Sequence, residues 1–169
     1  SGSDITNQTG YVNLTTYENV SWVDRQAGDD LSNPLPDFID RNIRQIFTYQ
    51  DRLGIVSDKA VTFSGTGDPF NMFRTTVRDL IESDPFSVTP SDARGDLVRG
   101  AAPYGQQLVV MTTEAQHIVR ALDGRFSAKT VEIVNASNAS VSDLPQPTAV
   151  GDSLFFAYDN EEHGGVWEF

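Results

Sequence analysis

The chain has 169 residues, no cysteine, and 24 Asp and Glu against 12 Lys and Arg, for a net charge of −12. That length can bury a core of its own, and the missing thiols exclude disulfide scaffolds, thiolate metal sites, iron–sulfur clusters and cysteine nucleophiles. Such acidity excludes attraction of a polyanion through the overall field, and no apolar run approaches the ~20 residues of a membrane helix.

Residues 1–33 read as polar strand and loop. The opening Ser1-Gly2-Ser3 has neither the charged nor the apolar region of a signal peptide, so the Asn-x-Ser/Thr sequons at Asn7, Asn13, Asn19, Asn135 and Asn138 carry no functional argument. Alternation over 11–15 predicts a short strand, and 28–36 is dense in turn formers. Residues 37–47 predict an α-helix. Pro36 stands at its first turn, Asp37 and Asp40 lie near its positive end, and Phe38, Ile39, Ile43, Ile46 and Phe47 recur at helical spacing.

Beyond residue 50 the period becomes two. Residues 52–57 and 60–64 predict a hairpin around Asp58-Lys59, with Leu53, Ile55, Val61 and Phe63 expected to face one buried layer. Residues 107–112 and 115–120 predict a second hairpin around Thr113-Glu114, and 152–158 with 165–169 a third around the polar loop 159–164. Weaker strand patterns lie at 97–101 and 130–134. Leu53, Leu108 and Leu154 mark the repeated hairpin at offsets of 55 and 46 residues, a blade-like interval. The expected fold is therefore mainly β: antiparallel hairpins forming part of a β-propeller-like body, with one short α-helix near residues 37–47. The expected division is an N-terminal loop and strand segment with the helix, 1–50, followed by a partial propeller-like domain of two to three blades, 51–169. A β-sandwich is the competing architecture. A propeller needs about four blades or more, each of about four strands, so the chain is expected to be a fragment of a longer protein or to complete its sheet with another chain.

Sites for chemistry are sparse. His117, alternating with Ile118, reads as an exposed strand residue. Asp159, Glu161, Glu162 and His163 are weighed as a weak cation site, but their spacing fits no calcium loop, and a solvated hairpin tip is the better reading. The Gly-rich run from Ser64 to Pro69 lacks the Gly-Lys-Ser/Thr end of a phosphate loop, and no Gly-x-Ser-x-Gly elbow exists. Arg74, Arg78, Arg94 and Arg99 are interleaved with Asp79, Asp92 and Asp96 rather than forming a nucleic-acid stripe. The expectation is no enzyme, with no catalytic, cofactor-binding or metal residue and no cofactor.

Between residues 20 and 90 a series of words occurs in order. Val20-Ser21-Trp22-Val23-Asp24-Arg25 leads to Gly28-Asp29-Asp30, Asn33-Pro34, and then the run from Ile46 through Arg52-Leu53-Gly54 to Ser57. Val61-Thr62-Phe63-Ser64, Gly67-Asp68-Pro69-Phe70-Asn71-Met72-Phe73, Thr75-Thr76 and Ser83-Asp84-Pro85 follow. In this order they resemble the tail tubular protein B family, the tail nozzle of short-tailed bacteriophages. The Arg-Leu-Gly hairpin followed by Asp-Pro-Phe-Asn-Met-Phe is the most specific part, and 91–169 match more loosely. Asp37-Phe38-Ile39-Asp40 departs from the Ser-Phe-Val-Gly-like run expected there. The resemblance implies a structural virion protein of the phage tail. Six copies would form a ring that acts as conduit and gate for DNA ejection. Its implied partners are other copies, an adaptor ring, fibres, and passing DNA held without tight binding. It implies no membrane insertion by this segment. The alternatives are a non-enzymatic β-propeller module binding protein or carbohydrate, and a propeller hydrolase with paired carboxylates.

Overall fold

The computed structural model describes residues 21–90, 97–142, 147–151, 153–159 and 163–169. These hold eleven strands in three antiparallel sheets and no helix. The first sheet comprises β1 (Ile43–Tyr49), β2 (Arg52–Ser57), β3 (Val61–Phe63) and β4 (Phe86–Val88). The second comprises β5 (Val98–Tyr104), β6 (Gln107–Thr112), β7 (Gln116–Ala121) and β8 (Val131–Ser137). The third comprises β9 (Thr148–Val150), β10 (Ser153–Asp159) and β11 (Gly164–Glu168). In each, strands adjacent in sequence are adjacent in space. The three expected hairpins are present as β2–β3, β6–β7 and β10–β11, while the strand expected at 11–15 lies outside the described residues.

The helix expected at 37–47 is not formed. The Ile39 amide bonds the Pro36 carbonyl and the Arg41 amide bonds the Phe38 carbonyl, both in tight turns. Asp40 then takes a φ of 59°, which breaks any helical run, and β1 begins at Ile43. Asp40 occupies the position where the family resemblance leads one to expect glycine, and its left-handed backbone supplies the reason for that preference. The apolar spacing misled because β1 has an inverted face. Ile46 points outward at 61% exposure, while the polar Gln45 points toward the second sheet. There its amide bonds both backbone groups of Ala101, accepting from N at 2.8 Å and donating to O at 2.9 Å. The expected division at 50/51 falls in the turn joining β1 to β2, where Gln50 (φ 49°) and Asp51 (φ 59°) give the type I′ signature without a glycine.

The first hairpin also differs in its faces. Its pairs are Gly54–Phe63, Ile55–Thr62 and Val56–Val61. Cross-strand partners share a face, so Val61 and Phe63 lie with Gly54 and Val56, and Leu53 and Ile55 occupy the other side. A two-residue turn pairs odd with even positions, so odd residues of the two arms fall on opposite faces.

The sheets stack in order. Val56, Val61, Phe63 and Val88 of the first sheet pack with Val98, Ala101, Leu108, Val110 and Val119 of the second. The opposite face of the second sheet, with Ala102, Val109 and Met111, packs on Leu154 and Phe156 of the third. β6 is thus buried on both faces, which is why Leu108-Val109-Val110-Met111 is continuously apolar rather than alternating. Phe126, from the β7–β8 connection, inserts edge-on against Phe63 at 4.9 Å and Tyr49 at 5.0 Å, closing the first core with aromatic rings.

The offset of 55 residues holds in detail. β1, β2 and the turns on either side of β2 recur 55 positions later, as does a bulge, at Arg44 and then at Arg99. The turn after β2 also holds the start of the next sheet, where Val98 N donates to Asp58 O at 2.9 Å, and the equivalent turn after β6 holds the connection between β8 and β9, where Val141 N donates to Thr113 O at 3.3 Å. Among the described residues the sheets close into neither a barrel nor a propeller.

Candidate functional site

The words that carry the family resemblance converge on one side of the first sheet. The 22 residues between β3 and β4 form no strand and fold against residues 21–36 as a lobe over Thr62 and Ser87. Loops of this length inside a compact domain are usually functional. This one is held by polar side chains rather than by a ladder.

Arg52 is the central clasp. It alternates with Gly54 and Val56 on the core face of β2, is 2% exposed, and lies over the Phe86 ring at 5.1 Å. Its guanidinium donates to the Ser64, Asp84 and Glu82 carbonyls at 2.6, 2.8 and 2.5 Å, gathering both ends of the loop. Burial pushes its pKa below the ordinary arginine value, and the carboxylates of Asp84 and Asp51 oppose that shift. The buried Asp84 carboxylate accepts from Ile81 N at 2.9 Å and lies 3.6 Å from Arg74 Nε.

A second clasp joins the two halves of the lobe. The buried Asn33 amide accepts from Arg74 N at 3.1 Å and donates to Arg74 O at 3.0 Å and to Ala27 O at 2.8 Å. The turn before it is fixed by Gly28 at φ 79° and by Asp29, which accepts from Leu31 N, Ser32 N and the Ser32 hydroxyl. Those bonds, Ser32's first, hold the Asp29 carboxyl below its ordinary pKa. A Cβ on Gly28 would stand 2.5 Å from Val77, so the close approach itself requires glycine. At the outer end Trp22 packs edge-on against Phe70 at 5.6 Å, and Val23 N donates to Phe70 O. The Asp-Pro-Phe-Asn-Met-Phe word is therefore structural: Phe70 meets Trp22, Met72 is buried, and Phe73 lies under Arg25.

The residues singled out from sequence are not brought together. His117 is 2% exposed and not on the surface, because its partner across the ladder is Val110 on the face that meets the first sheet. Asp159 and His163 are exposed at the β10–β11 connection; Glu161 and Glu162 lie outside the described residues. Among the described residues no three His, Asp or Glu side chains are grouped to hold a metal ion. Sequence reasoning missed Arg52 and Asn33 as clasps. The signal available was indirect, namely the long strandless stretch after β3 and an arginine in register with inward-facing apolar positions.

Three shallow cavities also run along the end of the sheets that carries the β1–β2 and β5–β6 turns. Their volumes are about 390, 440 and 340 Å³, and adjacent ones share walls at Gln106 and Gln107 and then at Gln50 and Phe126.

The described residues present stacked antiparallel sheets and a lobe pinned by buried polar side chains. Residues 10–169 match the bacteriophage nozzle protein family, and the chain belongs to that family. It is similar to tail tubular protein gp12 of Escherichia phage T7, with 29% identity over 138 residues that cover 82% of this chain. The match takes in 17% of that relative's length.

Proposed function

We propose that this chain is a wall element of a short-tailed phage's tail nozzle, located in the virion and assembled with copies of itself, an adaptor ring and fibres. Its role is to line or brace the conduit through which DNA leaves, without enzymatic activity, metal or cofactor. The observation that carries this reading is the family match over residues 10–169, and the name of the T7 relative agrees with it. We read the three sheets as consecutive blades of a propeller-like body that begins with β1, preceded by an N-terminal segment. The turn and bulge positions repeated at 55 residues and the backbone bond from each equivalent turn to the chain that follows its sheet support this reading. Stacked sheets tied in this way resist shear, which suits a pressurised conduit better than a mobile lid would. The negative charge adds a second support, since a wall that repels phosphate lets DNA pass without counterion release. The test is electron cryo-microscopy of the full-length parent protein. A ring of six copies with these residues in its wall is expected. A parent that is monomeric both free and in purified virions would overturn the proposal.

A further inference from the structure

The turn-end groove has no role in the wall proposed above, and its chemistry differs from that of the rest of the chain. We propose that it is a binding site for a neutral oligosaccharide, with Gln106 and Gln107 as the principal contacts. In a chain with 24 acidic residues, the only acid among the described residues that lines the groove is Glu82, which is held by Arg125 at 3.1 Å. The remaining lining arginine, Arg120, is held by Glu132 at 2.5 Å. An ionic ligand needs an unpaired opposite charge, and the described residues of the groove offer none.

What it offers is amides. Gln106 stands exposed at the tip of the β5–β6 turn and Gln107 opens β6. Neither side chain makes a hydrogen bond among the described residues. A carboxamide donates and accepts at once, which matches a sugar hydroxyl that does the same. The half-buried Tyr104 ring at one end supplies an apolar surface for the sugar's C–H face. The floor is open: a Cβ at Gly105 or Gly124 would meet nothing within 4 Å.

The groove is also preformed. The Tyr49 hydroxyl donates to the Gln106 carbonyl at 3.1 Å, fixing the second sheet's turn to the first sheet. A site that need not order on binding loses less entropy. Each cavity lies near the lower end of the ~300–1,000 Å³ range of small-ligand sites, and three in series suit a short oligomer better than a monosaccharide.

The test is a titration of the isotopically labelled chain, followed by backbone amide shifts, with maltohexaose, cellohexaose and chitohexaose as neutral probes and a hexagalacturonate as the anionic comparator. At least one neutral hexasaccharide is expected to shift Gln50, Gly105, Gln106, Gln107 and Gly124, with little dependence on salt. The Gln106→Ala/Gln107→Ala variant is expected to weaken it by about tenfold or more. Gln106→Trp, which fills the groove from an exposed turn, is expected to abolish it, with both variants retaining the parent's melting temperature. No shift with any neutral probe up to about 10 mM overturns the proposal. So do shifts confined to other surfaces, undiminished binding by the folded double variant, or a salt-sensitive preference for the anionic comparator. If the double variant unfolds, Gln106→Trp alone decides.

Discussion

Two side chains show how a single residue sets the lobe and the turn end. Arg52 supplies the donors for three main-chain carbonyls that have left the sheet ladder, and no water-exposed substitute is at hand because the residue is 2% exposed. Arg52→Met keeps the stem's packing on Phe86 but strands those carbonyls, and it is expected to cost about 3–5 kcal/mol. Urea denaturation checks this. Arg52→Lys is expected to recover little, since an ammonium cannot reproduce the planar fork. A loss below about 1 kcal/mol for Arg52→Met would mean the loop is held by its other bonds. Tyr49 tests burial by titration. Desolvation raises its pKa above the ordinary value of 10.0, against a smaller opposing effect of a hydrogen bond with Gln50. The folded state therefore holds its proton more tightly than the unfolded chain. The resulting stability is fully present below pH 10.0 and is lost as pH rises through the folded pKa. Thermal melts from pH 8 to 11 are expected to fall more steeply for the parent than for Tyr49→Phe; parallel curves would show that the phenol reaches solvent.

At the scale of elements, β1 and β2 are joined face to face by an aromatic over a glycine. Phe47 pairs with Gly54, and a Cβ built on Gly54 would stand 2.5 Å from the Phe47 ring, which itself packs edge-on to Phe63 at 6.0 Å. Gly54→Ala must displace a ring already fixed in the core and is expected to destabilise by about 1–3 kcal/mol. The Phe47→Ala/Gly54→Ala pair is expected to be less costly than the sum of the two singles, because removing the ring removes the clash. Additive values from denaturant melts would show that the ring does not obstruct the added methyl. This same pair explains what the sequence concealed. The hairpins β2–β3, β6–β7 and β10–β11 were legible from alternation and polar breaks. β1 was not, since Gln45 faces in, Ile46 faces out, and its turn reaches positive φ with Gln50 and Asp51 rather than glycine. β4 and β9 have three residues each, too few to show a period. The lobe was legible only as familiar words. Its clasps depend on Arg52 and Asn33 meeting carbonyls up to 41 positions away, a relation that local pattern does not encode.

At the scale of the whole molecule, the question is what the surface does to DNA. Non-specific binding draws its free energy from Lys and Arg that displace counterions, so the relevant count is of free cations rather than of all cations. Only two lysines are present, Lys59 and Lys129. Of the ten arginines, Arg25, Arg44, Arg74, Arg120 and Arg125 each face a carboxylate within 3.6 Å, and Arg52 is buried on carbonyls. Residues 130–169 add seven acids and no Lys or Arg. For the five paired arginines, engaging a phosphate would mean breaking one ion pair to form another, with no net gain in charge neutralised, and Lys59, Lys129, Arg41 and Arg78 are too few and too scattered to make a phosphate-binding stripe. The chain is therefore expected to bind duplex DNA negligibly at physiological salt, as a passive conduit wall requires. Fluorescence anisotropy of a labelled duplex, titrated with protein at two salt concentrations, measures this directly. Weak binding alone is shared by most acidic proteins and leaves the conduit reading to the imaging of the parent ring. A dissociation constant below about 1 µM at ~150 mM salt is tighter than ordinary non-specific contact and would end the passive-wall reading, because a surface that sticky would stall a sliding genome.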